Sequence, residues 1–168
     1  MAPKQQPRDA VDEILEQWRR ERPDLELEAM GIFGRLGRLA AVGSRVVSTT
    51  LAQHGLNVGE FDVLAALRRA GAPHRLTPTQ LARALMLSSG AMTNRLDRLE
   101  AAGLVERKDD PGDRRGILVG LTRTGYTRVE AAVTAHVANE AEFLSALTRA
   151  EQRELSALLR KLLAGVDR

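Results

Sequence analysis

The 168-residue chain contains no cysteine, which removes disulfide frameworks, thiol redox sensors and cysteine–zinc sites from consideration. Aromatic residues are almost as scarce, at 3% of the sequence with a single tryptophan, Trp18. Proteins that hold single-stranded nucleic acid commonly stack bases on aromatic side chains, so any nucleic-acid partner is expected to be a duplex. No apolar run approaches the ~18–20 residues of a membrane span, and the opening MAPKQQPRD lacks the apolar core of a signal peptide. A cytoplasmic location and no membrane partner follow as expectations. His54, His74 and His136 are scattered without metal-ligand spacing or a nucleophile partner, and Ser88-Ser89-Gly90 lacks the G-x-S-x-G pattern of a nucleophile elbow. No catalytic residue, metal or cofactor is therefore expected. Charge of one sign is also lacking: 25 Lys and Arg stand against 22 Asp and Glu, a formal net charge of +3. Attraction to a polyanion would have to come from local clusters rather than from overall basicity.

What the chain does contain is concentrated between Leu76 and Thr122. Thr77 can N-cap a helix whose first position is Pro78, where a missing N–H costs nothing, and Gln80 completes a capping box. Leu81, Ala82 and Leu85 give that short helix an apolar face. After a break at Met86 and Leu87, Ser88 or Ser89 offers a new N-cap, and Gly103 a stop. Between them Met92, Leu96 and Leu99 share one side of the helix at about 100° per residue, which turns Gly90, Thr93, Asn94 and Asp97 the other way. Such a face of small and amide side chains can enter a major groove, where Asn bonds adenine bidentately and Thr meets a thymine methyl. Ser88, Ser89, Gly90, Thr93 and Asn94 are accordingly candidate DNA-binding residues.

Two strands are expected next, Leu104 to Lys108 and Gly116 to Leu121, separated by the turn-forming DDPGDRR. Arg114 and Arg115 then lie at or near the tip of a hairpin and suit phosphate contacts or a narrow minor groove. A solvated helix face or a charged turn would each read similarly in isolation. The order of a capped helix pair followed at once by an arginine-tipped hairpin is that of a winged helix-turn-helix. A winged-helix protein-interaction module would share the fold but would need an exposed apolar patch in place of these polar groups.

The flanking sequence is helical. Asp9 to Arg22 is amphipathic, with Val11, Ile14, Leu15 and Trp18 inward and Pro23 as a stop. A second helix is expected from Asp24 to about His54, with Leu27, Ile32, Phe33, Leu36, Leu39, Val46 and Val47 on its apolar side. Gly31, Gly34 and Gly37 recur every third residue and can permit close helix approach. Asn57 with Glu60 caps a helix that packs Phe61, Leu64, Ala65 and Leu67 inward. Thr122 caps a long helix to about Leu147, and Thr148 with Glu151 caps a last one carrying Leu155, Leu158, Leu159 and Leu162. The outer helices hold more apolar surface than a winged-helix core can cover, which predicts a two-fold homodimer.

The helix pair, the RLDRLEAAGLVER junction, the DPGDRRGILVGLT wing and the long flanking helices resemble the multiple-antibiotic-resistance regulator (MarR) family. The resemblance covers most of the chain. It implies a mainly α fold with a β wing, the second helix of the pair in the major groove and the wing in the minor groove. It also implies one domain over residues 9–168, built from N-terminal helices (9–56), the winged module (57–122) and C-terminal dimerisation helices (123–168), behind a disordered tail at 1–8. The function implied is a ligand-responsive transcription factor, usually a repressor, on an inverted-repeat operator of double-stranded DNA.

The added first helix ending in WRRERPDL, together with GEFDVLAALRR and SSGAMTNRLDRLEAAGL, is similar to the urate-responsive branch of that family. In that branch the matching Trp, Asp and two Arg form the ligand site, which carries over to Trp18, Asp62, Arg95 and Arg107. An anionic purine would be held at Trp18 and neutralised by Arg95, while its charge disfavours Asp62. Arg95 falls about 60° from Met92, on the protein side of its helix. Read bottom-up, a lone Trp is an ordinary interface residue and an Asp near an Arg an ordinary ion pair. Related regulators respond instead to other small anions or phenolic compounds.

Overall fold

The computed structural model describes residues 8–166, apart from the side chains of Arg114 and Arg115. Most of the tail expected at 1–8 lies outside that range; Arg8 pairs with Glu16 at 2.5 Å. The chain divides into two compact units between Arg45 and Val46.

In the first unit, α1 (Ala10–Glu21) begins where Asp9 accepts the N–H groups of Val11 and Asp12 and Asp12 accepts that of Asp9. It ends as the N–H of Arg22 donates to the carbonyl of Trp18. Helix α2 (Glu28–Gln53) starts four residues later than the Asp24 expected from sequence. The cause is local: Arg22 donates twice to the Asp24 carboxylate, at 2.8 and 2.6 Å, and the Leu25 N–H bonds the Arg22 carbonyl. Asp24 is thereby spent on a turn instead of a helix.

Val11, Leu15 and Leu27 form the small core of this unit. A Cβ added at Gly31 would stand 3.1 Å from Leu15, and one at Gly34 would stand 3.1 Å from Val11, so these two glycines do admit α1 closely. Gly37 faces open space and takes no part. Arg35 then pins the start of α1, reaching Asp9 at 2.8 Å and Asp12 at 2.7 Å. Leu36, Val46 and Val47 are half-buried, with Val47 packed against the core of the second unit, but the other apolar residues are not inward as expected. Ile14 and Trp18 on α1, and Ile32, Phe33 and Leu39 on α2, are exposed, Phe33 to 76%. Helical spacing identifies residues that share a face, but α1 covers only one edge of that face.

The second unit takes in the end of α2 and then α3 (Val58–Arg69), β1 (Arg75–Leu76), α4 (Pro78–Ala84), α5 (Ser89–Ala101), β2 (Val105–Asp110), β3 (Asp113–Leu121), α6 (Arg123–Phe143) and α7 (Arg149–Val166). The strands form an antiparallel sheet in the order β1-β3-β2, with Val119 paired to both Leu76 and Arg107. Strand β1 was not expected; two residues beside polar neighbours carry no alternation to read. Strands β2 and β3 also extend further than expected, which shrinks the turn to Pro111 and Gly112 and puts the backbone of Arg114 and Arg115 inside β3. The core joins Leu51, Phe61, Leu64 and Leu67 to Leu81, to Met92, Leu96 and Leu99 of α5, and to Val119 and Val129. All four residues expected inward on α3 are buried.

Helix α6 stops at Phe143 instead of continuing to Leu147. Gln152 reaches back from α7 to the carbonyls of Leu144 and Leu147, at 3.1 and 3.0 Å, and holds the connection as a turn. Thr148 and Glu151 exchange the expected capping bonds. No residue of α7 is buried, and Leu158, Leu162 and Leu163 are all more than half exposed. The architecture is the expected one, mainly helical with a small antiparallel wing. No described helix is long and apolar enough to cross a membrane.

The anchorage of α1 carries a pH dependence. The carboxyl of Asp9 is held below its ordinary range by the Asp12 N–H and then by Arg35, and that of Asp12 by the Asp9 N–H and then by Arg35. A carboxyl depressed in the folded state stabilises fully above the ordinary Asp value of ~3.9 and loses that contribution as pH falls through the depressed value. Fluorescence of Trp18, the sole tryptophan, is therefore expected to stay constant down to about pH 4 and to change below it. Arg35→Gln should move the onset of that change to higher pH.

Candidate nucleic-acid interface

The first helix of the pair is fixed at its start as its sequence requires. The Thr77 hydroxyl accepts the Gln80 N–H at 3.1 Å, and Gln80 accepts the Thr77 N–H at 2.8 Å, with Pro78 at the first helical position. The chain then turns through Leu85 and Met86. Met86 has φ +52° and is 94% exposed, a left-handed conformation unusual for a side chain of this size. The Leu87 N–H closes the turn onto the Ala82 carbonyl at 2.9 Å.

Helix α5 follows, with the Ser88 hydroxyl accepting the Ala91 N–H at 3.4 Å. Met92, Leu96 and Leu99 are each 1% exposed, so the rotation of α5 about its axis is fixed by the core. Ser88, Ser89, Gly90, Thr93 and Asn94 consequently face solvent together. The Thr93 hydroxyl donates to the Ser89 carbonyl at 3.0 Å. Among the described residues no side-chain hydrogen bond engages Asn94, whose amide keeps its donor and acceptor for a partner. A Cβ at Gly90 would meet nothing within 4 Å, which leaves the helix surface open to close approach there.

Asp97, also expected outward, is exposed but not idle. Arg107 donates to Asp97 at 2.6 Å and to Glu100 at 2.8 Å. These carboxylates lie one turn apart on α5, so one guanidinium from β2 bridges the helix to the wing. Its single positive charge also offsets one of the two negative charges that Asp97 and Glu100 place on this helix. The D-x-x-E spacing of Asp97 and Glu100 is the sequence signal for this link, although the angular position of Asp97 alone places it on the free face. On the same strand Glu106 pairs with Lys108 at 2.6 Å, and Arg75 approaches it at 3.8 Å. The side chains of Arg114 and Arg115, the expected wing contacts, lie outside those described.

The four residues carried over as a ligand site are distributed as follows. Arg95 is half-buried on the inner edge of α5, as its angular position predicts, and its guanidinium lies over α3, donating to the Gly59 carbonyl at 3.4 Å. A Cβ at Gly59 would stand 2.7 Å from the centre of that guanidinium, so a glycine is what seats Arg95 there. Asp62 is half-buried one turn further along α3. Among the described residues no hydrogen bond or ion pair joins Asp62 to Arg95 or Arg107, and the acids that hold Arg107 are Asp97 and Glu100. Trp18 belongs to the first unit and is 42% exposed. No group of three or more metal-binding side chains occurs among the described residues.

A family model described as the MarR family matches residues 54–116, from the turn that follows α2 through the first part of β3. The HTH-type transcriptional regulator PecS of Dickeya dadantii is 42% identical over 149 residues, which span 89% of this chain and 90% of PecS. The chain belongs to the MarR family. Two solved structures support the assignment. Escherichia coli MarR in mutant form, complexed with operator DNA, is 32% identical with a TM-score of 0.70, over 82% of this chain and 97% of that one. Bordetella bronchiseptica BpsR, whose DNA binding is regulated by 6-hydroxynicotinic acid, is 27% identical with a TM-score of 0.67, over 78% and 91% of the two chains.

In this MarR-family chain the Arg107 bridge should be separable from the rest of the fold. The pair is partly exposed, so Arg107→Ala is expected to lower stability by only about 0.5–1 kcal/mol. Hydrogen exchange should nevertheless accelerate across β2 and β3 while remaining unchanged in α1 and the first half of α2.

Proposed function

We propose that the chain is a transcriptional repressor that binds a specific double-stranded DNA operator as a homodimer and is released by a small anionic aromatic ligand. The observation that carries the DNA reading is the exposed Gly90, Thr93 and Asn94 face at the start of α5, set beside the wing by Arg107. That face enters the major groove; Asn94 reads a base edge, Thr93 presents its methyl group, and Ser88 and Ser89 contact phosphate. Arg114 and Arg115 follow the backbone or the minor groove from the wing. A protein-interaction module would be favoured by an apolar patch at this position, where the chain has glycine, threonine and asparagine.

The homodimer is supported by two unpartnered apolar faces, Ile32, Phe33 and Leu39 on α2 and Leu158, Leu162 and Leu163 on α7. A two-fold dimer matches an inverted repeat with half-sites about one helical turn apart. On this reading residues 9–168 act as one regulatory domain, with the winged module at 57–122 flanked by dimerisation helices.

The ligand is urate or a related purine, held by Trp18 and Arg95 with Asp62 and Arg107 in the responding network. Among the described residues Arg95 has a single long hydrogen bond, to Gly59, so it is available to an anion at little cost. An anion that also draws Arg107 from Asp97 and Glu100 would loosen the wing and uncover two negative charges close to the DNA phosphates. Release would follow from a two-state change in the reader itself. A second reading, another small aromatic acid, is favoured by the similarity to BpsR.

Operator titrations divide these roles. Asn94→Ala should alter preference at one base pair at a cost of roughly 1–3 kcal/mol, whereas Arg115→Ala should weaken binding to all duplexes and reduce the salt slope. Equal binding to random duplexes by all three proteins would count against sequence reading by α5. For the ligand, saturating urate should lower operator affinity by about 5–150-fold, the range of a coupling of ~1–3 kcal/mol, with operator DNA weakening urate reciprocally. Trp18→Phe should blunt the response. Calorimetry that detects neither urate nor purine binding would remove the ligand assignment and leave the DNA assignment standing.

A further inference from the structure

A second, differently built site lies where the end of α2 faces the start of α6. The cavity there measures about 710 Å³, and His54, Gly55, Arg123, Thr124, Thr127 and Arg128 are among its lining residues. None of the lining residues is acidic. Among the described residues neither Arg123, Arg128 nor His54 has an ion-pair partner, in contrast to Arg35, Arg68 and Arg107. The one carboxylate in the first two turns of α6, Glu130, is turned away and bonded to Arg68 at 2.6 Å. The cavity therefore gathers two uncompensated guanidinium groups without a counter-charge.

Local geometry keeps these groups at the cavity. Arg123 and Thr127, and Thr124 and Arg128, are each four residues apart and stand above one another on a single face of α6. The Thr127 hydroxyl donates to the Arg123 carbonyl at 3.1 Å, and the Thr124 hydroxyl has no partner among the described residues. Gly55 has φ +67°, and a Cβ there would lie 3.2 Å from a terminal nitrogen of Arg128. A side chain at position 55 would thus be strained and would also crowd the guanidinium. Two planar forks, a free hydroxyl and an imidazole suit an oxyanion with several acceptor oxygens. The volume lies within the ~300–1,000 Å³ of small-molecule sites and far exceeds that of a single ion.

We propose that this cavity binds a small phosphate-bearing anion, with Arg123 and Arg128 as bidentate donors and Thr124 and His54 as orienting donors. The site is distinct from Arg95 and does not depend on the ligand assigned there. Its position also gives it a path to the reader. Arg123 directly follows Thr122, whose hydroxyl donates to the Gly103 carbonyl at 2.7 Å where α5 ends.

Calorimetry of the full chain in low-salt, phosphate-free buffer tests the proposal, with inorganic pyrophosphate as the probe. Saturable binding of one pyrophosphate per chain is expected, weakened about tenfold or more by Arg123→Gln and by Arg128→Gln. Arg153→Gln, which removes charge elsewhere, should leave it unchanged. Circular dichroism melting of each variant reports whether it is folded; Arg123 is exposed and Arg128 half-buried. Absence of saturable binding at millimolar pyrophosphate, or an equal loss in Arg153→Gln, would overturn the site. DNA backbone is the other source of phosphate, and operator titrations without pyrophosphate distinguish it. Unchanged operator affinity in Arg123→Gln and Arg128→Gln supports the small anion. A tenfold loss, with pyrophosphate competing for the operator, would assign the cavity to DNA and overturn the proposal.

Discussion

Thr122 joins four segments at one point. Its N–H donates to the Leu104 carbonyl at 3.1 Å, its hydroxyl donates to the Gly103 carbonyl at 2.7 Å, and the same oxygen accepts the Gly125 N–H at 3.0 Å. Gly103, with φ +67°, is where α5 stops, and the Leu104 N–H folds back to Leu99 at 2.9 Å. The end of α5, the start of β2, the end of β3 and the start of α6 are therefore held by one side chain. Gly125 is the condition for it, because a Cβ there would collide with the Leu104 carbonyl. Remove that tolerance and α6 could not begin where the wing ends.

Two kinds of force act outward from this junction, and their magnitudes separate their roles. Burial of Met92, Leu96 and Leu99 contributes roughly 1.5–3 kcal/mol for each side chain. The half-exposed bridges from Arg107 to Asp97 and Glu100 contribute about 1 kcal/mol or less. Which face of α5 points outward is thus decided by the core, and the bridge decides only how the wing stands against it. That division allows a reader whose base-contacting face is rigid while its wing responds to a modest change in charge. It also suits a chain of net charge +3, in which a few neutralised acids matter more than total basicity.

The sequence made legible those features that local chemistry determines. The capping pairs Thr77 with Gln80, Asn57 with Glu60 and Thr148 with Glu151 are formed as read, and the apolar period of α5 gave its inner and outer faces correctly. Arg95 likewise lies on the inner edge where its angle put it. Less legible were features set by competition or by distance. The start of α2 moved to Glu28 because Arg22 captured Asp24, and the wing turn contracted to Pro111 and Gly112 because pairing with β2 carried β3 through Asp113. Ile14 and Trp18 on α1, and Phe33 on α2, lie on the apolar sides that periodicity assigns to their own helices, but periodicity does not say what covers those sides. Family resemblance alone points to Arg107 as a site residue, and its partners lie seven and ten positions back on another element, beyond any local rule.

The absence of cysteine makes the most direct measurement possible, since a thiol placed at one position would be unique in the chain. Asn94→Cys can be cross-linked to operator duplexes carrying a thiol-tethered base at successive major-groove positions. If α5 reads DNA as proposed, the disulfide should form at one position in each half-site, the two being related by the two-fold axis of the repeat. Formation with equal yield at every tethered position, or in random duplexes, would contradict placement of the Gly90, Thr93 and Asn94 face in the major groove.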